Sequence, residues 1–541
     1  MTELINKDGF NKLNLEAILD KIQPISPYGL TVKSKIKPYL PGQEAELEKN
    51  YRLMAYLEGY YVDRDVISAL NHVKDIRESI YRTLQDEVLT DVELFEIKGF
   101  CIQTKKLLKA FKGNKEFDDI QVGNLLPVIS QLDPNNENLQ TFYIYDAYSE
   151  KLADIRQKIN SLTYELKKLK KDLKNNIQET YESEKPLKIS LKGDIHLDRS
   201  NISLCNQLER DARLYVSGQS IGQMIFSIRN TQEMDQLDSQ IAHLRQLEEE
   251  EAYQVRISLS LFIKSFKETF DKTFEAIGVM DWVLAKLRQA KNSASVPPEI
   301  VTDHIIVIEE GRHLKTEEAL KYKQQDYQPI SLKLDCPVTS ITGANMGGKT
   351  VTLKMIGQLA WAVSYGLYVP AKKCRIGLSN HIFVSIGDEQ SVEQGLSTFG
   401  AEILKLKEAF EKANHRSLIL IDELAGGTNP LEGAAITRSV IQYLKHKSSI
   451  TIITTHFDDA ANASNQKLQV IGLNQMAFED LEKKMEEHPE KGMQLLNSLM
   501  DYRLISGKDG NGVPKDAIRI ASLMGLQREI INEAKKNIER K

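Results

Sequence analysis

Apolar residues recur at alternating spacings of three and four through most of the first 300 positions, where glycine and proline are sparse. That period predicts a largely helical half. Pro24, Pro27, Pro38 and Pro41 divide its opening into short helices. From 152 to 177 the series Leu152, Ile155, Ile159, Leu162, Leu166, Leu169, Leu173 and Ile177 makes a heptad seam, the pattern of one coiled-coil arm. A second amphipathic helix over 237–266 carries Leu237, Ile241, Leu244, Val255, Leu259 and Phe262. Between the two, 185–230 is less helical and holds short β-like runs, "LKISL" and "ARLYVSG". Two long helices joined through a small irregular tip predict an antiparallel arm on a helical core.

The texture changes near 300. "NSASVPPEI" at 292–300 reads as a linker. Beyond it, apolar β-rich runs alternate with helical ones: "CPVTSIT" at 336–342, "HIFVSIG" at 381–387, "SLILID" at 417–422 and "SITIITT" at 449–455. Alternating strands and helices predict an α/β domain with a largely parallel sheet. No internal repeat is visible. The expected organisation is helical core over 1–150, arms over 151–265 with a tip at about 185–230, core return and linker over 266–300, and the α/β domain over 301–541.

Composition narrows the reading. At 541 residues, with 41% hydrophobic and 27% charged positions, the chain can build several cores and is not globally disordered. A net charge of −5 means that any nucleic-acid contact must be local. One candidate is the basic run "KKLKKDLK" at 167–174, which is either a face for phosphate or a solvated coiled-coil face. The acidic run at 248–251, facing it across the helical pair, would account for both. Cys101, Cys205, Cys336 and Cys374 are scattered without a CxxC pair, so neither a zinc site nor a disulfide framework is indicated. The N-terminus lacks a signal-peptide layout, and no apolar run approaches the roughly 18 residues of a membrane span. A cytoplasmic protein is the simple expectation.

The chemistry concentrates in "GANMGGKT", Gly343-Ala344-Asn345-Met346-Gly347-Gly348-Lys349-Thr350, which fits G-x-x-x-x-G-K-[ST]. A strand precedes it and an amphipathic helix is expected after it, which is the context the motif demands. Glycines let backbone N–H groups turn onto an anion at a helix N-terminus whose dipole favours negative charge. Lys349 can reach the β- and γ-phosphates of a nucleoside triphosphate, and the Thr350 hydroxyl can ligate Mg²⁺. "LILIDE" at 418–423 is a buried strand ending in Asp422, a candidate Mg²⁺ ligand, and Glu423, placed to polarise an attacking water. His456, in "IITTHF", closes another strand where an imidazole can sense the γ-phosphate. ATP with Mg²⁺ is the expected cofactor, and hydrolysis the expected reaction.

These residues resemble the MutS ATPases, whose nucleotide domain belongs to the wider ABC class. "TGANMGGKT" looks like their phosphate loop. "GDEQSVEQGLSTFGAEI" at 387–403 looks like their subunit-crossing loop, with Ser397, Thr398, Phe399 and Glu402 in the matching places. "DELAGGTNPLEGAA" at 422–435 is similar to their Walker B segment and D-loop, and "GRHL" at 311–314 to the Arg-His pair that opens their ATPase domain. The closing pattern fits at Tyr502, Leu504, Gly507, Ala517, Ile520, Ala521, Gly525, Ile530, Ile531 and Ala534. "LNLEAILDKI" and the two-arm layout are similar to the MutS core and clamp. The implied fold is an α-helical core with an inserted coiled-coil arm or clamp, followed by an α/β P-loop NTPase domain of ABC/MutS type ending in a helical dimerisation segment.

Two departures matter. A mismatch-reading MutS carries an N-terminal domain with a Phe-x-Glu wedge. This chain opens on the helical core, and its Phe266-Lys267-Glu268 is expected inside a core-type helix. The loop ends in KTV where repair proteins read KST, which is closer to the second bacterial MutS branch, acting on recombination intermediates and stalled ribosomes. That branch usually ends in a small nuclease domain, which this chain is not expected to carry.

The resemblance implies a homodimer with composite sites. Lys349, Thr350, Asp422, Glu423 and His456 would come from one subunit, and Ser397 from the other. Three cargoes follow: branched or duplex DNA held without mismatch reading, a protein client such as a cobalamin-dependent aminomutase, or the ribosome.

Overall fold

The computed structural model describes residues 4–110, 122–137, 141–181, 187–190, 193–343, 347–387, 398–426, 428–473, 500–507, 518, 521–522 and 526–539. The chain divides into two compact units: His72–Phe274, and Met1–Asn71 together with Glu275–Lys541.

The inserted unit contains the two long helices. Glu150–Thr180 starts at Ser149, whose side chain accepts from the Leu152 amide, and Gln232–Lys264 starts at Thr231, which accepts from Met234. Their seams meet: Leu166, Met234, Leu237 and Ile241 are buried together, with Leu162, Leu169 and Leu173 against them. Pairing of Ser149 with Glu251, Arg156 with Glu248 and Lys170 with Asp238 shows that the helices run antiparallel. The tip between them is a small antiparallel sheet in the order β1-β3-β2, formed by β1 (Asp194–Asp198), β2 (Leu214–Gln219) and β3 (Gln223–Ile228). It has its own core of Ile195, Cys205, Leu208, Leu214, Met224 and Phe226, closed by Ile177 of the first long helix.

Two details depart from the pattern-based expectation. The acidic run does not face 167–174. Glu248 pairs with Arg156 and Glu251 with Lys151, at the opposite end of the first long helix, while Glu249 pairs with Arg256 on its own helix. An antiparallel register matches low numbers to high ones, so 248–251 meets 149–156 and leaves Lys167, Lys168 and Lys171 exposed. Phe266 is not inside a helix either. It lies in a break between Gln232–Lys264 and the next helix, Lys267–Asn292.

The other unit holds two sheets. Its strands in chain order are β4 (Glu299–Val301), β5 (Ile306–Gly311), β6 (Ile330–Leu334), β7 (Val338–Thr342), β8 (Lys373–Gly377), β9 (His381–Ser385), β10 (Ser417–Ile421), β11 (Ile450–Thr454), β12 (Gln466–Leu473) and β13 (Met500–Ser506). The larger sheet has the order β13-β12-β7-β11-β10-β9, parallel except for β13 at one edge. The smaller has the order β4-β8-β5-β6. β7, β10 and β11 are buried along their whole length, as their continuous apolar or small composition requires. The helix Lys349–Ser364, expected to be amphipathic, is buried on nearly every side. Its residues "LKMIGQLAWAV" offer little polar surface, and a helix apolar all round belongs inside.

The N-terminal segment is built into this unit. Leu4 accepts from the Ile382 amide at 2.7 Å, and Ile5 bridges Ile382 in parallel, adding to the β9 edge. Gln358 donates to the Leu13 carbonyl at 2.7 Å, and Phe10 stands edge-on to the buried Trp361. A Cβ on Gly357 would lie 2.7 Å from Leu13 Cδ1 and 2.8 Å from Leu420 Cδ1, so a larger residue would have to push both side chains aside.

Candidate active site

β7, β11 and β10 are neighbours, and the turns after their C-terminal ends carry the candidate residues. Ligands of parallel α/β sheets bind at that edge. Gly343 follows β7 with φ +143°, and a Cβ there would lie 2.9 Å from Val470 on β12. Gly348, at φ 74° and ψ 11°, is the N-cap of Lys349–Ser364. This left-handed cap turns the chain so that the first amides of the helix point outward.

Lys349 is only 4% exposed. Its Nζ donates to the Gly343 carbonyl at 2.8 Å and lies 3.4 Å from both His456 Nδ1 and Glu423 Oε1. Burial holds its ammonium below the ordinary lysine range, against the pull of Glu423 and Asp422. Thr350 Oγ1 donates to Asp422 Oδ2 at 2.6 Å, and Thr454 Oγ1 donates to Asp422 Oδ1 at 2.5 Å. Asp422 is therefore held from both sides, with the hydroxyl and carboxylate oxygens of Thr350 and Asp422 side by side.

His456 Nε2 lies 2.7 Å from Glu423 Oε1. A proton on Nε2 satisfies that contact and leaves Nδ1 as acceptor for Lys349. The Glu423 carboxyl sits below the ordinary range, first because of this hydrogen bond and then because of His456 and Lys349 charge, with burial opposing. It is ionised at neutral pH and remains 39% exposed, open to solvent. Glu423 takes a left-handed backbone, φ 50°, as does Ala425 at φ 58°. The turn is held by Thr454, whose Oγ1 and carbonyl both accept from the Glu423 amide. Glu402 Oε2 accepts from the Ala425 amide at 3.3 Å.

Lys349, Thr350, Asp422, Glu423 and His456 thus converge, with Gly343, Gly347 and Gly348 alongside. Ala344, Asn345, Met346 and Ser397 lie outside the described residues. Two further residues reach the site: Thr454, which carries no obvious signal along the chain, and Tyr502, which belongs to the closing pattern. Thr454 reaches Asp422 because Ile421 and Ile453 are in register across β10 and β11. Tyr502 on β13 lies where a Cβ on Gly348 would meet its ring at 3.0 Å. Motif spacing cannot reveal a neighbour supplied by strand order.

The donor set fits a magnesium nucleotide. An outward-facing helix N-terminus, an adjacent ammonium and paired hydroxyl and carboxylate oxygens are what a triphosphate and a hard divalent cation require. A glycine loop between a buried strand and a buried helix, with an acid pair after the next-but-one strand of the same parallel sheet, is the layout of a P-loop nucleotide domain.

Residues 339–540 match the family described as MutS domain V. This match and the relatives that follow support a place in the MutS family. A protein named Endonuclease MutS2 from Caldanaerobacter subterraneus is 28% identical over 471 residues, covering 85% of this chain and 55% of the relative. One of the same name from Clostridium tetani is 33% identical over 308 residues, 56% of this chain and 36% of the relative. Another from Staphylococcus aureus is 27% identical over 479 residues, 87% and 57% of the two chains. The chain spans between about a third and just over half of the length of these relatives. Among the described residues no helix is long and apolar enough to cross a membrane.

Proposed function

We propose that this chain is an ATP-hydrolysing, dimeric clamp of the cytoplasm that grips branched or duplex DNA under nucleotide control, without reading mismatches. The observation that carries the reading is the meeting of Lys349, Thr350, Asp422, Glu423 and His456 at one sheet edge. Bound ATP with Mg²⁺ would supply the phosphoanhydride to be cleaved. Lys349 and the amides after Gly347 bind the β- and γ-phosphates. Thr350 and Asp422 hold the metal, with Thr454 fixing the carboxylate. Glu423, ionised and solvent-facing, orients and polarises the attacking water. His456 holds Glu423 and reports on the γ-phosphate side. Ser397 caps the phosphate of the partner subunit, so each site needs two copies of the chain.

The antiparallel helical pair and its tip serve as the grip, with Lys167, Lys168 and Lys171 as exposed cations for phosphate. The relatives' printed name, an endonuclease, favours a nucleic-acid cargo over a protein client or the ribosome.

The test mixes a Lys349→Ala protein with a Ser397→Ala protein, with and without branched DNA at several salt concentrations. Each alone should be inert. The mixture should recover part of the hydrolysis, since one composite site is intact, and DNA should alter the rate less as salt rises. No recovery at any ratio rejects shared sites. Recovery without any effect of DNA rejects the DNA cargo.

A further inference from the structure

We infer that Arg312 is a positioning residue that fastens the end of the helix Lys267–Asn292 to the nucleotide site, so that occupancy of the phosphate loop is felt at that helix end. The inference rests on the ATPase reading above, and the family match, which begins at residue 339, does not reach Arg312.

The helix Lys267–Asn292 closes with two bonds. The Ser295 amide donates to the Ala290 carbonyl at 2.8 Å, and the Ala294 amide to the Lys291 carbonyl at 3.2 Å. This is the cap in which glycine usually takes the left-handed position. Here that position is Ala294, at φ 46°, where a Cβ is strained. A strained turn persists only where its surroundings hold it. Arg312 is the hold. Its Nη2 donates to the Ser293 carbonyl at 2.6 Å and to the Ala294 carbonyl at 2.8 Å. A cation is favoured there, at the negative end of the helix dipole. Nη1 donates to both carboxylate oxygens of Glu317, at 3.0 and 2.9 Å, which fixes the guanidinium plane.

From Arg312 and its two neighbours, contacts run to the nucleotide helix Lys349–Ser364 at its middle and at both ends. Gly311 packs on Met355 in the middle, where a Cβ would lie 2.9 Å from Sδ. The Arg312 amide donates to the Pro370 carbonyl at 2.8 Å, just past the exit of the helix. The His313 amide donates to the Tyr327 hydroxyl at 3.0 Å. Gln328, next along, accepts from the Tyr502 amide at 2.7 Å and donates to Asp501 at 3.0 Å. The Tyr502 ring packs on Gly348, the cap of the phosphate loop. His313 is itself fixed, because its Nδ1 accepts from the Thr316 amide and caps the helix Leu314–Tyr322. Two other ties join the helix end to the same region: Val296 and Val369 exchange two bonds of 2.9 Å, and Lys286 donates to the Gly366 carbonyl. Both touch the exit of the nucleotide helix, whereas Arg312 is also joined to its phosphate end. Coupling between sites travels through contiguous contacts of this kind.

The test uses the full chain as wild type, Arg312→Met, Arg312→Lys and the Arg312→Met/Ala294→Gly double variant. Hydrogen exchange of the Ser295 amide is measured without nucleotide and with saturating ADP and Mg²⁺, beside steady-state ATP hydrolysis. In the wild type, nucleotide should change exchange at Ser295 by about threefold or more. Arg312→Met should quicken exchange without nucleotide and abolish the response. Its KM should stay within about twofold, since no phosphate contact is removed. Arg312→Lys keeps the charge but not the planar fork, and should recover part of the response. In the double variant glycine relieves the strain, so exchange without nucleotide should return toward the wild-type rate while the response stays lost. A purely structural role would restore both. If Arg312→Met alone does not fold, the double variant decides. A response that survives in Arg312→Met, or returns in the double variant, overturns the inference. A wild type that hydrolyses ATP without any response at Ser295 overturns it as well. A wild type that neither binds nor hydrolyses ATP overturns the ATPase reading, and the inference falls with it.

Discussion

At the residue scale, the site depends on backbone conformations that few side chains tolerate. Gly348 at φ 74° turns the chain into the helix, and its missing Cβ leaves room for the Tyr502 ring. Gly348→Ala should therefore cost about 1–2 kcal/mol in urea denaturation, from the left-handed backbone alone. A loss below a few tenths would mean that the turn relaxes to another conformation. Glu423 and Ala425 bear similar strain without glycine, and they are the residues that Thr454 and Glu402 hold. The motif glycines were legible along the chain because their spacing is the signal. Thr454 was not, because a threonine at a strand end looks like many others, and Glu402 was named by the resemblance without its contact to the Ala425 amide.

At the element scale, the far end of the nucleotide helix has its own joint. Lys286, on the helix Lys267–Asn292, donates to Asn50 Oδ1 at 2.7 Å and to the Gly366 carbonyl at 3.1 Å. Tyr51, on the same helix as Asn50, donates to the Leu367 carbonyl at 3.1 Å. Three elements meet at the negative end of the Lys349–Ser364 dipole, where a cation is favoured. Lys286 makes no ion pair within 4 Å among the described residues, and burial pulls it down to about 7. The nearby phenols of Tyr51 and Tyr368 and the thiol of Cys374 are all pushed upward by burial, so they stay neutral near pH 7. A lysine lowered on folding gives the unfolded chain more protons between that value and roughly 10.4, so stability rises with pH across the window. Lys286→Met should flatten this rise between pH 7 and 9 in urea midpoints. An unchanged slope would assign it to another group. The helical pair illustrates the complementary case: its heptad seam was plain in the sequence, while the antiparallel register that sends Glu248 to Arg156 was not.

At the scale of the whole molecule, residues 1–71 belong to the same compact unit as the nucleotide domain, although about 200 residues of other structure separate them in sequence. Leu13 fills the groove beside Gly357, and the Leu4 carbonyl caps the β9 edge. A fragment covering 275–541 should therefore lack cooperative unfolding when expressed alone, because it exposes that groove and that edge. Co-expression with residues 1–71 should restore a single transition by circular dichroism. A cooperative transition from the fragment by itself would show that the N-terminal segment is dispensable for folding.

Local rules acting over a few residues determined the phosphate loop, the Asp422–Glu423 strand end, the heptad-bearing helix and its amphipathic partner, because each is written in one continuous stretch. Tertiary structure alone decided that Thr454 would hold Asp422, that Glu402 would reach Ala425, and that Leu4 would join the β9 edge. Those contacts arise from a strand order, β7-β11-β10, that does not follow the chain, and from an N-terminal helix docking across several hundred positions. Neither leaves a periodic or compositional trace.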